Sequence, residues 1–491
     1  MSRKRITLIF GLAMLPLMGW WSYGLFDLDE GFYAAVTAEM NRRHEWITPF
    51  YNGTPWYEKP ILLYWLAKPS VMLFGGEFGL RLPSIIAAFL GFWAVWHFAR
   101  RRMSGAAAEA SVLVLATSLL WVALSRLMMT DTLLVVSFCV ACLWFYESLV
   151  GDWRWRIGTA ALLGVGVLAK GPVAILLFVP ILGWTLLREP GLRPQSRRGW
   201  AIGTAALSAV VATWYLPAYL KDGQLFVQKF LVEQNLQRFT GGDAAHTIGG
   251  IANLFFFLPV MLVGMAPWVW WLAAAWPRRA SDSLDRYLAT CAAVPFLFFT
   301  VSGAKLVHYV LPCCIPIALL VGRWMARRWT ESEAELPTSR LRMLGAGSVF
   351  LCVLANAGFG YWYRASGHAE VHALARYCAQ SGFKYVAAYQ MPRREKSLGT
   401  GRPKLQETSH PSLEFYTDSV VLQAETLGDL ERAEFPLYVL TRSERFSAAD
   451  FATLKHDGFR MTPLRSETWV NYELYRLDRP APSRTKRTPS P

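Results

Sequence analysis

Three carboxylates, Asp27, Asp29 and Glu30, follow directly on the first apolar run, where a chain leaving lipid meets water. Acids held at that level can orient an acceptor or take its proton. Asp131 stands in the same way at the mouth of a later apolar run. Lys170, Lys305 and Arg238 each stand beside or close to glycine at the edge of an apolar segment, and separate cations on one membrane face suit a bound anion, most simply phosphate. Asp29, Glu30 and Asp131 are therefore candidate catalytic groups, with Lys170, Lys305 and Arg238 as candidate phosphate ligands. Each has an ordinary structural alternative. Asp29 suits the N-cap of a helix over Glu30 to Arg43, Asp131 suits the N-cap of the span that follows it, and a lysine can simply reach the headgroups along its apolar stem. Glu58 with His246 and His308 offers metal-ligating atom types, without the spacing of a recognised zinc motif.

These groups must be positioned by membrane helices. Hydrophobic residues make up 54% of 491 positions and charged residues 17%, with 22 Trp and 19 Tyr, the balance of lipid-embedded helices with interfacial aromatics. Apolar runs near 6–23, 82–99, 107–125, 132–149, 157–169, 171–188, 201–219, 251–275, 287–301, 306–323 and 343–361 imply about 11 to 13 transmembrane helices. The first run starts on Arg3, Lys4 and Arg5 but ends on Trp20, Trp21 and Tyr23 without a small-residue cleavage site, so it reads as an uncleaved anchor. Arg-rich loops (100–102, 154–156, 188–198, 278–279, 323–328) alternate along the chain, which places them and the N-terminus in the cytoplasm. Much of the net charge of +15 is thereby topological, and a nucleic-acid partner is not implied.

Nearly all ionisable groups at span edges then fall on the outer side: Asp29, Glu30, Glu58, Lys59, Arg126, Asp131, Lys170, Glu233, Arg238, Lys305 and His308. Residues 1–362 read as a transmembrane catalytic domain with an interfacial loop over 24–81 and a second loop over 220–250. The segment Ile61 to Phe74 is too interrupted to span and reads as a helix lying in the interface. Apolar density falls after 363, and alternating stretches such as 384–389 and 436–440 interleave with helical ones such as 371–380 and 448–456, giving a soluble periplasmic α/β domain over 363–480. Residues 481–491 read as a disordered tail. The seven cysteines imply no disulfide framework.

The ordered set Leu28-Asp29-Glu30, Tyr57-Glu58-Lys59-Pro60, Thr130-Asp131, Ala169-Lys170-Gly171, Glu233 to Phe239 and Ala304-Lys305-Leu306-Val307-His308-Tyr309 resembles the polyprenyl-phosphate-dependent C-type glycosyltransferases. The branch it looks most like is the bacterial lipid A aminoarabinose transferases, relatives of the protein O-mannosyltransferases. The resemblance implies transfer of a sugar, aminoarabinose-like or a hexose, from an undecaprenyl-phosphate carrier to lipid A or another envelope acceptor. The reaction would take place at the periplasmic face of a bacterial inner membrane. It also implies Asp29 as the first-loop catalytic acid, Asp131 as the second, and Lys59, Arg238 and Tyr309 as the cradle of the carrier phosphate, with Lys170 and Lys305 in matching motifs. No cofactor is essential to such chemistry, and zinc is the divalent cation that Glu58 and His246 would hold. Phe32 and Gln234 depart from the branch, which commonly has Arg and His there. A protein acceptor is the alternative within the superfamily. A lipid or glycolipid transporter is the alternative outside it, but its charges should extend to mid-span, and here they do not. A nucleotide-sugar donor is disfavoured by the absence of a Gly-rich phosphate loop or an Asp-x-Asp pair in the outer loops.

Overall fold

Long apolar runs broken by Gly, Pro and Arg clusters fold as helices, and a computed structural model describes residues 2–27, 29–192, 197–237, 252–278, 282–330, 334–391, 410–443, 445–464 and 471–479. The chain divides into two compact units: Met1–Tyr23, Trp46–Thr48 and Tyr57–Phe359 form one, and Gly24–Glu45, Pro49–Trp56 and Gly360–Pro491 the other.

The first unit is helical and polytopic. Among the described residues six helices are long and apolar enough to cross a membrane, Gly76–Arg102, Thr130–Val150, Arg198–Gln234, Ser283–Val301, Val307–Trp329 and Thr338–Ala365. The number is eight if two sharply bent pairs each count as one span. This is fewer than the 11 to 13 expected, because runs such as Arg3–Met14, Trp155–Lys170 and Val173–Arg188 form helices of 12, 16 and 16 residues, short of a full crossing alone. Leu62–Phe74 is a short apolar helix, as its interrupted sequence suggests. Where a loop was expected from about 220, the helix Arg197–Phe226 instead continues past a break at Gly223 into a π-helical stretch, Val227–Gln237.

Buried acids join these helices in pairs with the Arg-bearing ends. Glu109 is fully buried and takes both arms of Arg5, at 2.6 and 2.7 Å, and the backbone N–H of Leu336 at 2.8 Å. Glu147 pairs with Arg101 and Arg102, and Asp285 with Arg323, which also reaches the exposed Asp282. A carboxylate so deep is tolerated because each of its oxygens meets a donor. Helix Cys314–Trp329 crosses Gly105–Ala116 so closely that a Cβ on Gly322 would lie 2.5 Å from the backbone nitrogen of Ser111 and 2.6 Å from its Cα. Backbone cannot yield as a side-chain tip can, so Gly322→Ala is expected to lower unfolding stability by about 1–3 kcal/mol. Thermal unfolding in detergent checks this; an unchanged melting point would mean that the two helices slide apart without cost.

The second unit holds a five-stranded sheet of β3 (Tyr385–Tyr389), β4 (Val421–Ala424), β5 (Leu437–Arg442), β6 (Arg460–Pro463) and β7 (Tyr472–Asp478), in the order β4-β3-β5-β7-β6. β3 pairs in parallel with β4 and β5, while β7 runs antiparallel to β5 and β6. Ala387, Tyr389, Val439, Leu454 and Leu477 sit in its core. The strands at 385–389 and 437–442 and the helices His368–Gln380 and Ala448–His456 are those the alternation and periodicity predict. The boundary differs from the one predicted at 362. Gly24–Glu45 and Pro49–Trp56, assigned from sequence to the membrane domain, belong with the C-terminal unit. The cause is the helix Glu30–Arg42, which is buried from Glu30 through Met40 and ends with Arg42 bonded to Glu414 at 2.6 Å. Glu414 also accepts the N–H of Asn52 at 3.2 Å, at the tip of the hairpin formed by β1 (Phe50–Tyr51) and β2 (Thr54–Pro55). The predicted tail, 481–491, lies outside the described residues.

Candidate active site

In the first unit, the helices Thr130–Val150 and Trp155–Lys170 form an antiparallel pair whose ends bring two candidate residues together. Asp131 lies in the first turn of one helix, 3% exposed, and Lys170 is the last residue of the other. Helix Trp155–Lys170 ends there because Gly171 adopts φ of +87°, a conformation glycine takes without steric cost. The Lys170 ammonium donates to Asp131 Oδ1. Asp131 is therefore not the N-cap: Met129 holds that position, and the carboxylate is spent on a cation from another helix.

A third segment, the short 3-10 turn Val307–Cys313, adds two rings. His308 Nε2 lies 3.9 Å from Asp131 Oδ1, and the Lys170 ammonium sits over the ring of Tyr309, 5.0 Å from its centroid. Tyr309 in turn packs on Phe299, 4.8 Å between centroids. Lys59 is close enough for its charge to act on Asp131. The segment bearing Lys59 is pinned by Tyr57, whose hydroxyl donates to Asp222, and the same carboxylate oxygen accepts from Thr48 Oγ1 at 2.6 Å. Trp214 adds a bond from its indole N–H to the Ile47 carbonyl at 2.8 Å. Lys59, Lys170, His308 and Tyr309, all singled out from sequence, thus gather about the Asp131 carboxylate. The charges of both Lys59 and Lys170 act on that carboxylate.

Lys305 does not share this arrangement. Its ammonium donates to the carbonyls of Phe299, Thr300 and Ser302 at 2.6, 2.8 and 2.7 Å, the open end of the helix Ser283–Val301. Those three bonds match the three donors of an ammonium, so Lys305 is a helix-terminus cation rather than a carrier-phosphate ligand. Lys305→Met is expected to lower the melting temperature while leaving the transfer rate of the surviving folded protein near the parent value, measured at a temperature where both are folded; a large rate loss without destabilisation would return Lys305 to the site. Glu58 is half-buried and near enough to Tyr64 to act on it electrostatically, and among the described residues it belongs to no His/Cys/Asp/Glu trio of metal-binding geometry. His246 and Arg238 lie outside the described residues.

Asp29 and Glu30 belong to the second unit. Asp29 stands at the N-cap position of Glu30–Arg42, exposed and without a capping bond, so the ordinary alternative for it is not realised. Glu30 is fully buried and accepts the Phe26 N–H at 3.1 Å, the mark of a structural group rather than a catalytic one. Sequence reasoning passed over the partners of Asp27. Asp27 Oδ2 faces three histidines: His410 Nδ1 at 3.1 Å, His372 Nε2 at 3.5 Å and His368 Nε2 at 3.7 Å. Its Oδ1 accepts the N–H of Ser412 at 2.9 Å. Burial works to raise the Asp27 carboxyl, but the bonds and charges of His372 and His410 outweigh it and hold the group far below the usual carboxylate range. Burial pushes His368 and His372 down against the opposing pull of Asp27. The one signal in the sequence was His368 and His372 one turn apart on a single helix face.

The chain is also similar to proteins already known. Residues 58–216 match the family of dolichyl-phosphate-mannose-protein mannosyltransferases. The chain is 29% identical over 381 residues to an undecaprenyl phosphate-alpha-4-amino-4-deoxy-L-arabinose arabinosyl transferase of Edwardsiella ictaluri, across 73% of this chain and 67% of that one. It is 31% identical over 375 residues to the protein of that name from Pectobacterium carotovorum, across 72% and 65%. A Pseudomonas fluorescens relative matches at 28%, across 71% and 61%. The chain thus spans 61 to 67% of these relatives' own length. Among solved structures, ArnT from Cupriavidus metallidurans bound to undecaprenyl phosphate superposes with a TM-score of 0.74 at 19% identity, over 96% of this chain and 98% of that one. The arabinofuranosyltransferase AftD from Mycobacteria gives 0.55 at 12% identity, over 98% and 40%. At such identities the likeness establishes the fold, a C-type glycosyltransferase architecture.

Proposed function

We propose that this chain is a membrane glycosyltransferase drawing its sugar from undecaprenyl phosphate, a reading supported by its likeness to the aminoarabinose transferases and, over residues 58–216, to the mannosyltransferase family. The acceptor is lipid A or another envelope glycolipid, and the reaction runs on the periplasmic side of the inner membrane. The N-terminus then lies in the cytoplasm and the C-terminal unit in the periplasm, in keeping with the alternation of Arg-rich loops.

The observation that carries this reading is the gathering of Lys59, Lys170, His308 and Tyr309 about Asp131. A sugar joined to a lipid phosphate already has a good leaving group. As the glycosidic C–O bond breaks, charge grows on the departing phosphate oxygens, and fixed cations lower the barrier by meeting it. Lys170 is held by Asp131 and the Tyr309 ring, so little reorganisation is needed when the phosphate arrives. Asp29, exposed and not engaged as a cap, is the group for the acceptor. It takes a proton from a hydroxyl acceptor, or orients a phosphate acceptor that needs no deprotonation near neutral pH.

The test is mass spectrometry of envelope glycolipids and glycoproteins from cells with and without the gene. A sugar-sized mass increment lost from lipid A or another glycolipid supports the reading and identifies the sugar. Loss confined to glycoproteins would move the acceptor to protein, the reading favoured by the family match over 58–216. An unchanged envelope glycome would overturn the assignment.

A further inference from the structure

We propose that Asp27, His368 and His410 form a binding site for a divalent transition-metal ion, most simply zinc, that ties the segment after the first helix to the C-terminal fold of the second unit. Asp27 Oδ2, His368 Nε2 and His410 Nδ1 all lie within 4.8 Å of one another. In a tetrahedral zinc site with bonds of about 2.0–2.1 Å, neighbouring ligand atoms stand roughly 3.3 Å apart. The two contacts to Asp27 Oδ2, 3.1 Å from His410 and 3.7 Å from His368, bracket that edge.

Ordinary hydrogen bonding explains the first contact but not the second, which is too long for an N–H···O bond. The surroundings also distinguish a ligand set from a mere ion pair. The second nitrogen of each ligand imidazole meets a hydroxyl: His368 Nδ1 bonds Ser366 Oγ, and His410 Nε2 lies 3.3 Å from Tyr472 Oη. Outer partners of this kind set the tautomer and aim the other nitrogen inward, as they do around metal-bound histidines. Asp27 Oδ1 is spent on the Ser412 N–H, so Oδ2 is the oxygen that faces the imidazoles. The carboxylate is 1% exposed and His410 8%, with His368 at 16%, so the donors are largely withdrawn from water while one side remains reachable by a small ion. Gly31 makes the room: a Cβ there would crowd Ser412 at 2.9 Å and the Asp27 carboxylate itself.

His372 is placed as a neighbour rather than a ligand. Its Nε2 bonds Ser412 Oγ at 2.8 Å and its Nδ1 bonds Tyr363 Oη at 3.0 Å, so both nitrogens are used within the protein shell. Three protein ligands leave the fourth position of a zinc ion to water or to a further donor. This site shares no residue with Glu58 and His246, and its assignment does not depend on the sugar-transfer reaction.

Tag-free full-length protein in detergent, stripped with a chelator and titrated with Zn²⁺ or Co²⁺, provides the test. The parent is expected to bind one ion per chain through this site, with a rise in melting temperature and, for Co²⁺, the visible absorption of a four-coordinate site. Asp27→Asn should weaken binding by more than about 10²-fold, since it removes the anionic ligand. Because Asp27 is deeply buried and that variant could misfold, His368→Gln at the more accessible ligand is the second variant, expected to lose at least about tenfold in affinity and the cobalt spectrum. His97→Gln, in the helix Gly76–Arg102 of the first unit, should change nothing. A parent that binds no ion, or a His368→Gln protein that binds as the parent does, would overturn the proposal, the latter by assigning the ion to other residues.

Discussion

Replacing Lys170 by Met is expected to lower the rate of transfer from a polyprenyl-phosphate sugar by about 10²–10³-fold, the loss that follows from removing one fixed charge aimed at a developing oxyanion. The side-chain volume is nearly kept, and the residue stays at the end of its helix, so the effect is read on the chemical step rather than on folding. Asp131→Asn should give a different signature. The carboxylate holds Lys170 in place and also competes with phosphate for the same cations. Without it the donor binds more tightly while the ammonium is no longer fixed for the transition state, so kcat and KM should fall together. Lys170→Met, by contrast, should leave the donor with a higher KM and a lower kcat. Steady-state kinetics with purified protein in detergent separate the two patterns. A Lys170→Met enzyme within about twofold of the parent, a difference under roughly 0.5 kcal/mol in barrier, would remove Lys170 from the leaving-group site.

Much of this arrangement was legible in the sequence because membrane proteins spend ionisable groups sparingly. A lone Lys beside Gly171 or an acid at the mouth of an apolar run stands out against its surroundings, and Asp131 and Lys170 were found that way. What the sequence could not distinguish was a lysine that meets a ligand from one that closes a helix. Lys170 and Lys305 both sit at a helix junction near glycine, and their roles diverge through what each ammonium meets, the Asp131 carboxylate for Lys170 and three backbone carbonyls for Lys305. The second unit shows the same limit at larger scale. Periodicity identified the strands and helices after 363, since alternation is a local property. It could not reveal that the helix Glu30–Arg42 packs with them, because an amphipathic helix records that one face is buried and not against what. Asp27 was visible as one of three acids, yet the histidines that surround it come from 341 to 383 residues further on, a separation no spacing rule spans.

Arg81→Met is expected to lower the unfolding free energy by about 2–6 kcal/mol, because it strips the donor from two buried carbonyls at roughly 1–3 kcal/mol each. Arg81 is fully buried in the first unit and donates to the carbonyls of Trp20 and Tyr23, at 2.6 and 2.9 Å, where the helix that begins at Arg3 has already ended. That stretch of chain has no helical partners of its own for these groups, so an arginine from the helix Gly76–Arg102 replaces the missing backbone donors. The guanidinium also lies over the ring of Tyr23, 4.3 Å from its centroid, which adds a cation–π contact worth up to about 2 kcal/mol where water is excluded. Arg126 holds the stretch just before it, donating to the Pro16 carbonyl at 3.2 Å and to Asn356 at 2.8 Å. Arg81→Lys should recover only part of the loss, since a point charge on a flexible stem cannot lie flat on the ring while it serves both carbonyls. Arg100→Met, on the exposed end of the same helix, should stay within about 0.5 kcal/mol of the parent. Thermal or chemical unfolding of the three variants in one detergent gives the comparison. If Arg81→Met unfolds where Arg100→Met does, water or another side chain already satisfies the Trp20 and Tyr23 carbonyls, and the buried arginine is not what holds the end of the first helix.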